Sequence, residues 1–225
     1  MTVPDDRAPL TTNAMAAFVR DNARLMTPPL VPEIKLYLAE ESVPIWQKTE
    51  DELGEMNVPP PFWAFAWAGG QALARYLFDN PGVCAGQRVI DLGSGSGMTA
   101  IAAAKCGAKS VLASDVDRFA QAACLLNAAA NGVAIEATSD DLLAAIQPVS
   151  ADVILIGDLF YERSLADRVI AFIEAAKKAD AAVYIGDPQR SYFPRDTFTL
   201  LASYRVPVTR ELEDSEIKKT AVWRA

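Results

Sequence analysis

The chain has 225 residues, 51% of them hydrophobic, which fits a single α/β domain with a sizeable core. Its 21 basic and 29 acidic residues give a formal net charge of −8 with no basic cluster, so a protein or small-molecule partner is favoured over nucleic acid. The absence of histidine excludes Ser-His-Asp, Cys-His and histidine-based metal mechanisms, and the three cysteines form no zinc or disulfide pattern.

The N-terminal residues 1–58 are predicted to form an extension that packs on a main domain over residues 59–225. A helix over 12–25 and a short strand over 34–38 are expected within it. The extension either contributes to a binding site or is a structural lid. Because residues 1–7 are acidic and lack the apolar block of a signal peptide, and no apolar run could span a membrane, we expect a cytoplasmic protein without a membrane partner.

An aromatic stretch rich in proline, residues 59–70, precedes a helix expected over 70–78. Trp63 and Trp67 lie in it, next to the pair Gly69 and Gly70. Aromatic faces attract cations, so the stretch is predicted to line a pocket for a cation. The alternative is a hydrophobic clasp packed against the sheet.

A glycine-rich turn follows the strand predicted at residues 88–92 and precedes a helix over 99–105. Its glycines stand at the first, third and fifth positions counted from Gly93, with Asp91 two residues earlier. A dinucleotide fingerprint requires glycine at the sixth position, where this chain has Met98. The pattern instead resembles motif I of class I S-adenosylmethionine-dependent methyltransferases. The resemblance implies that the motif binds the cofactor through Asp91, Gly93, Ser94, Gly95 and Gly97.

Acidic residues follow the next two predicted strands, 110–115 and 133–138. Asp115 is placed to accept both hydroxyls of a ribose, with Asp117 as the alternative, although Asp117 could simply favour the start of the helix predicted over 118–130. One of Asp140 and Asp141 is expected to accept from an adenine amino group, with the adjacent backbone reading the ring edge. The alternative is an N-cap for a helix beginning near Leu142.

Two further strands, 151–157 and 181–186, are also followed by aspartates, Asp158 and Asp187. Ligands of open parallel sheets bind beyond the carboxyl ends of the strands, so Asp91, Asp115 and Asp158 are expected to converge on one crevice. Helices are predicted over 164–179 and 198–203. An antiparallel pair, 204–208 and 219–224, is expected to close the sheet.

From about Glu33 to Trp223 the chain resembles the electron-transfer-flavoprotein β-subunit lysine methyltransferases, a group of seven-strand enzymes with an Asp/Glu-x-x-Tyr motif after strand four. The matching segments are Asp158-Leu159-Phe160-Tyr161, the aromatic stretch from Pro60 to Leu73, Asp115 to Ala120, Leu126-Asn127-Ala128 and Gly186-Asp187-Pro188-Gln189-Arg190. One departure is Ala68, where the family more often has proline.

The resemblance implies a Rossmann-like α/β fold, a mostly parallel seven-stranded sheet with helices on both faces, and transfer of a methyl group from S-adenosylmethionine to a lysine, without a metal. Asp158 would orient the amine and Tyr161 would shape the lysine channel. The residues expected to bind the cofactor are those of motif I with Trp67, Asp115, Val116, Asp141, Leu142 and Asp158. Those expected to bind the substrate are Trp63, Phe160, Tyr161, Asp187 and Arg190.

Three alternatives remain open at this stage. One is a methyltransferase that acts on a ribosomal protein or a small molecule. The second is a dehydrogenase, against which Met98 argues. The third is a non-catalytic scaffold that binds the cofactor, against which the Asp158 to Tyr161 motif argues.

Overall fold

The computed structural model describes residues 12–39, 60–144, 150–208 and 216–225. Helix α1 spans Thr12–Asp21, and strands β1 (Arg24–Met26) and β2 (Leu36–Leu38) pair antiparallel. The helix predicted over 12–25 therefore ends early, because its last residues join the β1–β2 pair. Residues 1–11 and 40–58 of the predicted extension lie outside the described residues, and its boundary stays a prediction.

The main part of the chain alternates between helices and strands. In chain order the elements are α2 (Ala68–Asp79), β3 (Arg88–Leu92), α3 (Met98–Lys105), β4 (Ser110–Ser114), α4 (Arg118–Ala130), β5 (Glu136–Thr138), β6 (Val153–Gly157), α5 (Arg163–Lys178), β7 (Ala182–Asp187), β8 (Thr199–Pro207) and β9 (Ile217–Arg224).

Strands β3 to β9 form one sheet in the order β5-β4-β3-β6-β7-β9-β8. The five strands from β5 to β7 are parallel, and β9 joins β7 and β8 antiparallel. This confirms the expected Rossmann-like sheet with seven strands. The strand order reverses direction at β3 and β6, and such a switch point is where open α/β sheets bind ligands.

Both faces of the sheet are covered, and strand β6 shows why it must be apolar throughout. Val153 and Leu155 pack on the face covered by α2, α3 and α4, whereas Ile154 and Ile156 pack on the face covered by α5. Successive side chains of a strand point to opposite faces, so a strand buried on both sides reads as a continuous apolar run.

The helix predicted over 198–203 is wrong, because residues 199–203 lie in strand β8. The strand pairs with β9 from Thr199 opposite Arg224 to Pro207 opposite Ile217, with an irregularity near Leu200. Pairing with a neighbouring strand outweighs local propensity in short segments. None of the helices within the described residues is long and apolar enough to cross a membrane.

The N-terminal segment is held against helix α4. The backbone N–H of Tyr37 donates to Asn127 Oδ1 at 2.7 Å, and that of Lys35 donates to Asn131 Oδ1 at 3.0 Å. Met15 and Val19 of α1 pack in one cluster with Phe119 of α4. These contacts fix residues 12–39 along helix α4, from Phe119 in its first turn to Asn131 at its C-cap.

Candidate active site

A cavity of about 430 Å³ opens at the carboxyl ends of β3, β4 and β6. This volume is within the usual range for small-molecule sites. Its wall includes most of the residues predicted to bind cofactor or substrate: Trp63, Trp67, Gly93, Gly95, Asp115, Val116, Asp141, Leu142, Asp158, Tyr161 and Arg190. The crevice expected from the strand-end aspartates is therefore present.

The glycine-rich turn forms the floor of the cavity next to β3. Gly95 has φ +52°, and a Cβ built there would meet no atom closer than 3.9 Å, so the backbone is open on that side. Gly97 has φ +78° and precedes helix α3, and its missing Cβ would come within 3.2 Å of Cys124 Cα. Glycine is thus required at one position for the left-handed backbone beside the cavity and at the other for packing on α4.

Asp91, which precedes this turn, and Ser94 and Gly97, which lie within it, are not part of the cavity wall. Asp91 Oδ2 accepts the backbone N–H of Ala100 in the first turn of α3 at 3.0 Å, and burial raises the pKa of Asp91 to about 7. Ser94 Oγ is 3.3 Å from the sulfur of Cys124. These residues hold the shape of the turn, and a direct contact with a cofactor stays a prediction.

Asp115 and Asp117 both line the cavity, but they differ in what they hold. Asp115 Oδ2 accepts the backbone N–H of Gly95 at 2.9 Å, and its Oδ1 accepts that of Asp117 at 3.0 Å. Asp117 is the N-cap of α4, and its Oδ1 accepts the backbone N–H of Phe119 at 2.8 Å. Burial raises the pKa of both carboxyls, that of Asp117 to about 6. Asp115 therefore ties β4 to the glycine-rich turn.

The acidic pair after β5 also reaches the cavity wall. Asp141 pairs with Arg168 of α5 at 2.5 Å, and its other oxygen accepts the backbone N–H of Leu143 at 3.0 Å. Asp140 is exposed, and within the described residues its carboxylate has no hydrogen-bond donor. The predicted helix near Leu142 begins as a turn, and residues 145–149 lie outside the described residues.

Asp158 stands at the end of β6 in a left-handed conformation, with φ +58°. The backbone N–H of Gly70, in the first turn of α2, donates to Asp158 Oδ2 at 2.9 Å. Arg190 donates to Asp158 Oδ1 from Nε at 2.9 Å and from Nη2 at 2.7 Å. The carboxylate is 7% exposed and faces both a guanidinium and a helix N-terminus, which stabilise its negative charge.

The close approach of α2 to the strand ends depends on two glycines that face each other. A Cβ on Gly69 would overlap the carbonyl oxygen of Gly186 and lie 2.5 Å from Asp158 Oδ2. A Cβ on Gly186 would in turn overlap the carbonyl oxygen of Gly69. The glycine pair was recognisable in the sequence, but neither this role nor the hydrogen bond from the Gly70 N–H to Asp158 was predicted. The signal was available, because the pair lies in the first turn of a helix, where backbone N–H groups are free to bind an anion.

The aromatic stretch divides into a buried part and an open part. Trp63 is fully buried and packs in the cluster of α1 and α4, although it borders the cavity. The half-buried Trp67 has its ring 5.4 Å from the guanidinium carbon of Arg190. Phe62 and Tyr161 are 49% and 45% exposed, with ring centroids 5.9 Å apart. The clasp interpretation therefore applies to Trp63, whereas Trp67 faces the guanidinium of Arg190, and a pocket for a ligand cation stays a prediction.

Two residues predicted to bind the substrate lie away from the cavity wall. Phe160 is fully buried, with its ring 5.3 Å from that of Phe193 in the core on the α5 side. Asp187 is fully buried as well, and its Oδ1 accepts the backbone N–H of Arg190 at 2.7 Å. In this structure both residues support the site from behind, and direct substrate contacts stay predictions.

Comparison with known proteins decides the family. The chain is 36% identical over 213 residues to the electron transfer flavoprotein beta subunit lysine methyltransferase of Danio rerio, which covers 92% of this chain and 81% of that protein. It is 33% identical over 213 residues to the Homo sapiens protein of the same name, covering 92% and 80%. The chain belongs to the electron transfer flavoprotein β subunit lysine methyltransferase family.

This family assignment confirms the resemblance found in the sequence. The chain is therefore an S-adenosylmethionine-dependent protein-lysine methyltransferase. The family model described as ribosomal protein L11 methyltransferase (PrmA) matches residues 71–179, the stretch from α2 to the end of α5. A putative RNA methyltransferase from Pyrococcus horikoshii has a similar fold, with a TM-score of 0.53, 15% identity and coverage of 95% and 96% of the two chains.

Proposed function

We propose that this lysine methyltransferase acts on the β subunit of electron transfer flavoprotein and that its cavity binds S-adenosylmethionine next to the target lysine. The observation that carries the proposal is that the glycine-rich turn, Asp115, and the Asp158 and Tyr161 motif line one cavity. The names of the relatives support the protein substrate.

The residues present fit this cofactor. The open backbone at Gly95 lets a ligand lie against the turn, and Asp115 stands beside it as an acceptor for ribose hydroxyls. Val116 and Leu142 supply apolar wall for a flat ring. Of the two acids after β5, Asp140 is better suited to an adenine amino group, because both oxygens of Asp141 are engaged by Arg168 and Leu143.

When bound, S-adenosylmethionine supplies a methyl group on a sulfonium to the lysine amine, whose lone pair forms the new bond while the carbon–sulfur electron pair stays with sulfur. An ammonium has no lone pair, so the lysine must lose its proton first. With a pKa of about 10.4, this costs roughly 4–5 kcal/mol at pH 7. Loss to water before docking is therefore compatible with a typical enzymatic rate.

Asp158 acts by holding and orienting the amine rather than as a strong base. Its carboxylate already accepts donors from Gly70 and Arg190, which favour the ionised form and weaken it as a proton acceptor. The Tyr161 ring and the Trp67 ring form the sides of the lysine channel and exclude water from it. Burial raises the pKa of Tyr161, so its hydroxyl remains a donor at neutral pH.

The test is intact-protein mass spectrometry of purified electron transfer flavoprotein after incubation with the enzyme and S-adenosylmethionine. We expect methyl-sized mass steps on the β subunit with the wild type and none with Asp158→Ala. If the wild type leaves the β subunit unmodified while cofactor binding is intact, the substrate proposal fails. Ribosomal protein L11 is the second substrate to assay, because the corresponding family model matches residues 71–179. The proposal also includes that the reaction needs no metal and takes place in the cytoplasm.

A further inference from the structure

Arg190 places a cation where the proposed function requires the lysine amine to bind. Its Nε and Nη2 lie 2.9 and 2.7 Å from Asp158 Oδ1, and its guanidinium carbon lies 5.4 Å from the Trp67 ring centroid. These are the carboxylate and the aromatic face that the lysine channel offers. The Arg190 side chain is 17% exposed, so the ion pair is largely shielded from water.

The turn after β7 fixes the direction of Arg190. Asp187 Oδ1 accepts the backbone N–H of Arg190 at 2.7 Å, and Gln189 between them is left-handed with φ +64°. Within the described residues, Asp187 Oδ2 is buried without a donor. Burial and the nearby charge of Asp158 raise the pKa of Asp187 to about 7. Arg190 therefore forms its ion pair with Asp158, while Asp187 holds the backbone of the turn.

The other charged groups around this pair come from several elements. Asp187 faces the pair from the end of β7. Tyr161 and Glu162 lie just before α5. Besides burial, the negative charges of Glu162 and of Asp115, which follows β4, both raise the pKa of the Tyr161 hydroxyl. Helix α2 contributes the Gly70 N–H on the far side of Asp158. Removal of Arg190 would take the guanidinium away from Asp158 and make this edge more negative.

We propose that Arg190 is a positioning residue that neutralises Asp158, so that the channel accepts the target lysine as a neutral amine rather than as an ammonium. An unpaired carboxylate within about 4–6 Å would favour the ammonium and raise the pKa of the lysine. Each unit by which that pKa rises makes the reactive amine tenfold scarcer. With Arg190 in place, Asp158 can still accept a hydrogen bond from the amine without this penalty. The inference rests on the proposed function of the site.

The first test does not depend on the protein substrate. The probe is n-butylamine, a lysine side chain without its backbone, added to enzyme saturated with S-adenosylhomocysteine and followed through the indole N–H signal of Trp67 by NMR between pH 8 and 9.5. For the wild type we expect the affinity for n-butylamine, calculated from its total concentration, to rise about tenfold per pH unit, because the fraction of the amine that is neutral rises by that factor. For Arg190→Gln we expect affinity that is nearly independent of pH, since the ammonium binds. Equal pH slopes in the two proteins, or a wild type that prefers the ammonium, would overturn the proposal.

The second test measures kcat against pH with electron transfer flavoprotein as substrate. Arg190→Gln should move the alkaline midpoint upward by about one pH unit or more, and Arg190→Lys, which keeps the charge, should return it toward the wild-type value. An equal loss of kcat at every pH in Arg190→Gln would mean that the residue is only structural. A wild type that does not methylate the flavoprotein would refute the substrate but not Arg190, because the amine titration stands independently.

Discussion

Replacing Asp115 by alanine is the sharpest test of the cofactor site. In the structure this carboxylate holds the backbone N–H groups of Gly95 and Asp117 at 2.9 and 3.0 Å, so it fixes the glycine-rich turn against β4. In the proposed complex it also accepts the ribose hydroxyls. Asp115→Ala therefore removes a ligand contact and loosens the backbone that the ligand lies on.

The size of the effect follows from hydrogen bonds to a charged acceptor, each of which contributes about 1.5–3 kcal/mol. A loss of about 3 kcal/mol corresponds to roughly a 100-fold weaker affinity for S-adenosylhomocysteine. The fold should survive, because the raised pKa of Asp115 indicates that its buried charge is itself unfavourable for the folded state. Asp115→Asn keeps one acceptor oxygen, so its affinity for S-adenosylhomocysteine should lie between those of the wild type and Asp115→Ala, about tenfold below the wild type.

The assay is isothermal titration calorimetry with S-adenosylhomocysteine, accompanied by thermal unfolding of each variant. Asp117→Asn is the matched control, since asparagine caps a helix about as well as aspartate and changes the charge two residues away. We expect its affinity to change by less than about threefold. Unchanged affinity in Asp115→Ala would refute the site as described, and a larger loss in Asp117→Asn would transfer the ribose contact to Asp117.

Three further predictions test the catalytic edge and its supports. Asp158→Ala should abolish methyl transfer in the mass-spectrometric assay, while its affinity for S-adenosylhomocysteine, measured by calorimetry, falls by less than about tenfold. If methyl transfer and cofactor affinity are lost together, Asp158 serves the cofactor instead. Gly69→Ala should lower the free energy of unfolding in urea by about 2 kcal/mol or more, because a Cβ would overlap the Gly186 carbonyl. The control Gly82→Ala, whose Cβ would have no atom within 4 Å, should change that free energy by less than about 0.5 kcal/mol. Similar free energies of unfolding in the two variants would show that α2 can shift to make room. Burial raises the pKa of Asp187 from 3.8 to about 7, so the contribution of its protonated form to stability is complete below about pH 4 and is lost as the pH rises through 7. Relative to Asp187→Asn, the free energy of unfolding of the wild type should therefore fall by up to about 1.4 kcal/mol per pH unit over that window. A difference between the two proteins that stays constant from pH 4 to 8 would contradict the raised pKa.

Local sequence patterns were sufficient for the parallel part of the fold. The apolar run that ends at Gly157, the glycine-rich turn after Leu92 and the alanine-rich helices each carry their own signal, because burial on both faces and a left-handed backbone restrict which residues are possible. The segment from 198 to 203 was mispredicted because its conformation depends on pairing with β9, which begins fourteen residues after Ser203.

The chemistry of the site was likewise readable in part. The order of strands and the aspartates after them predicted one crevice, and Asp115 and Asp158 both reach the cavity wall. The separation of roles among neighbouring acids was not predictable. Asp91 lies near the end of β3 and Asp187 is the last residue of β7, close to the strand ends that Asp115 and Asp158 follow. Both are nevertheless buried behind the cavity, where they accept backbone N–H groups. Strand-end position gives the neighbourhood of a carboxylate, but the next turn of the chain decides where its oxygens point.

By itself, the sequence determined the family, the sheet and the residue types that surround the crevice, because these depend on periodicity, glycine spacing and short motifs. Only the tertiary structure decided that Gly69 must face Gly186, that Trp63 is core while Trp67 faces a cation, and that Arg190 pairs with Asp158 across 32 residues. Contacts of this kind join elements that are distant in the chain, so no local pattern predicts them. In the proposed mechanism, the distances and burial of these contacts decide whether the target lysine binds as a neutral amine or as an ammonium.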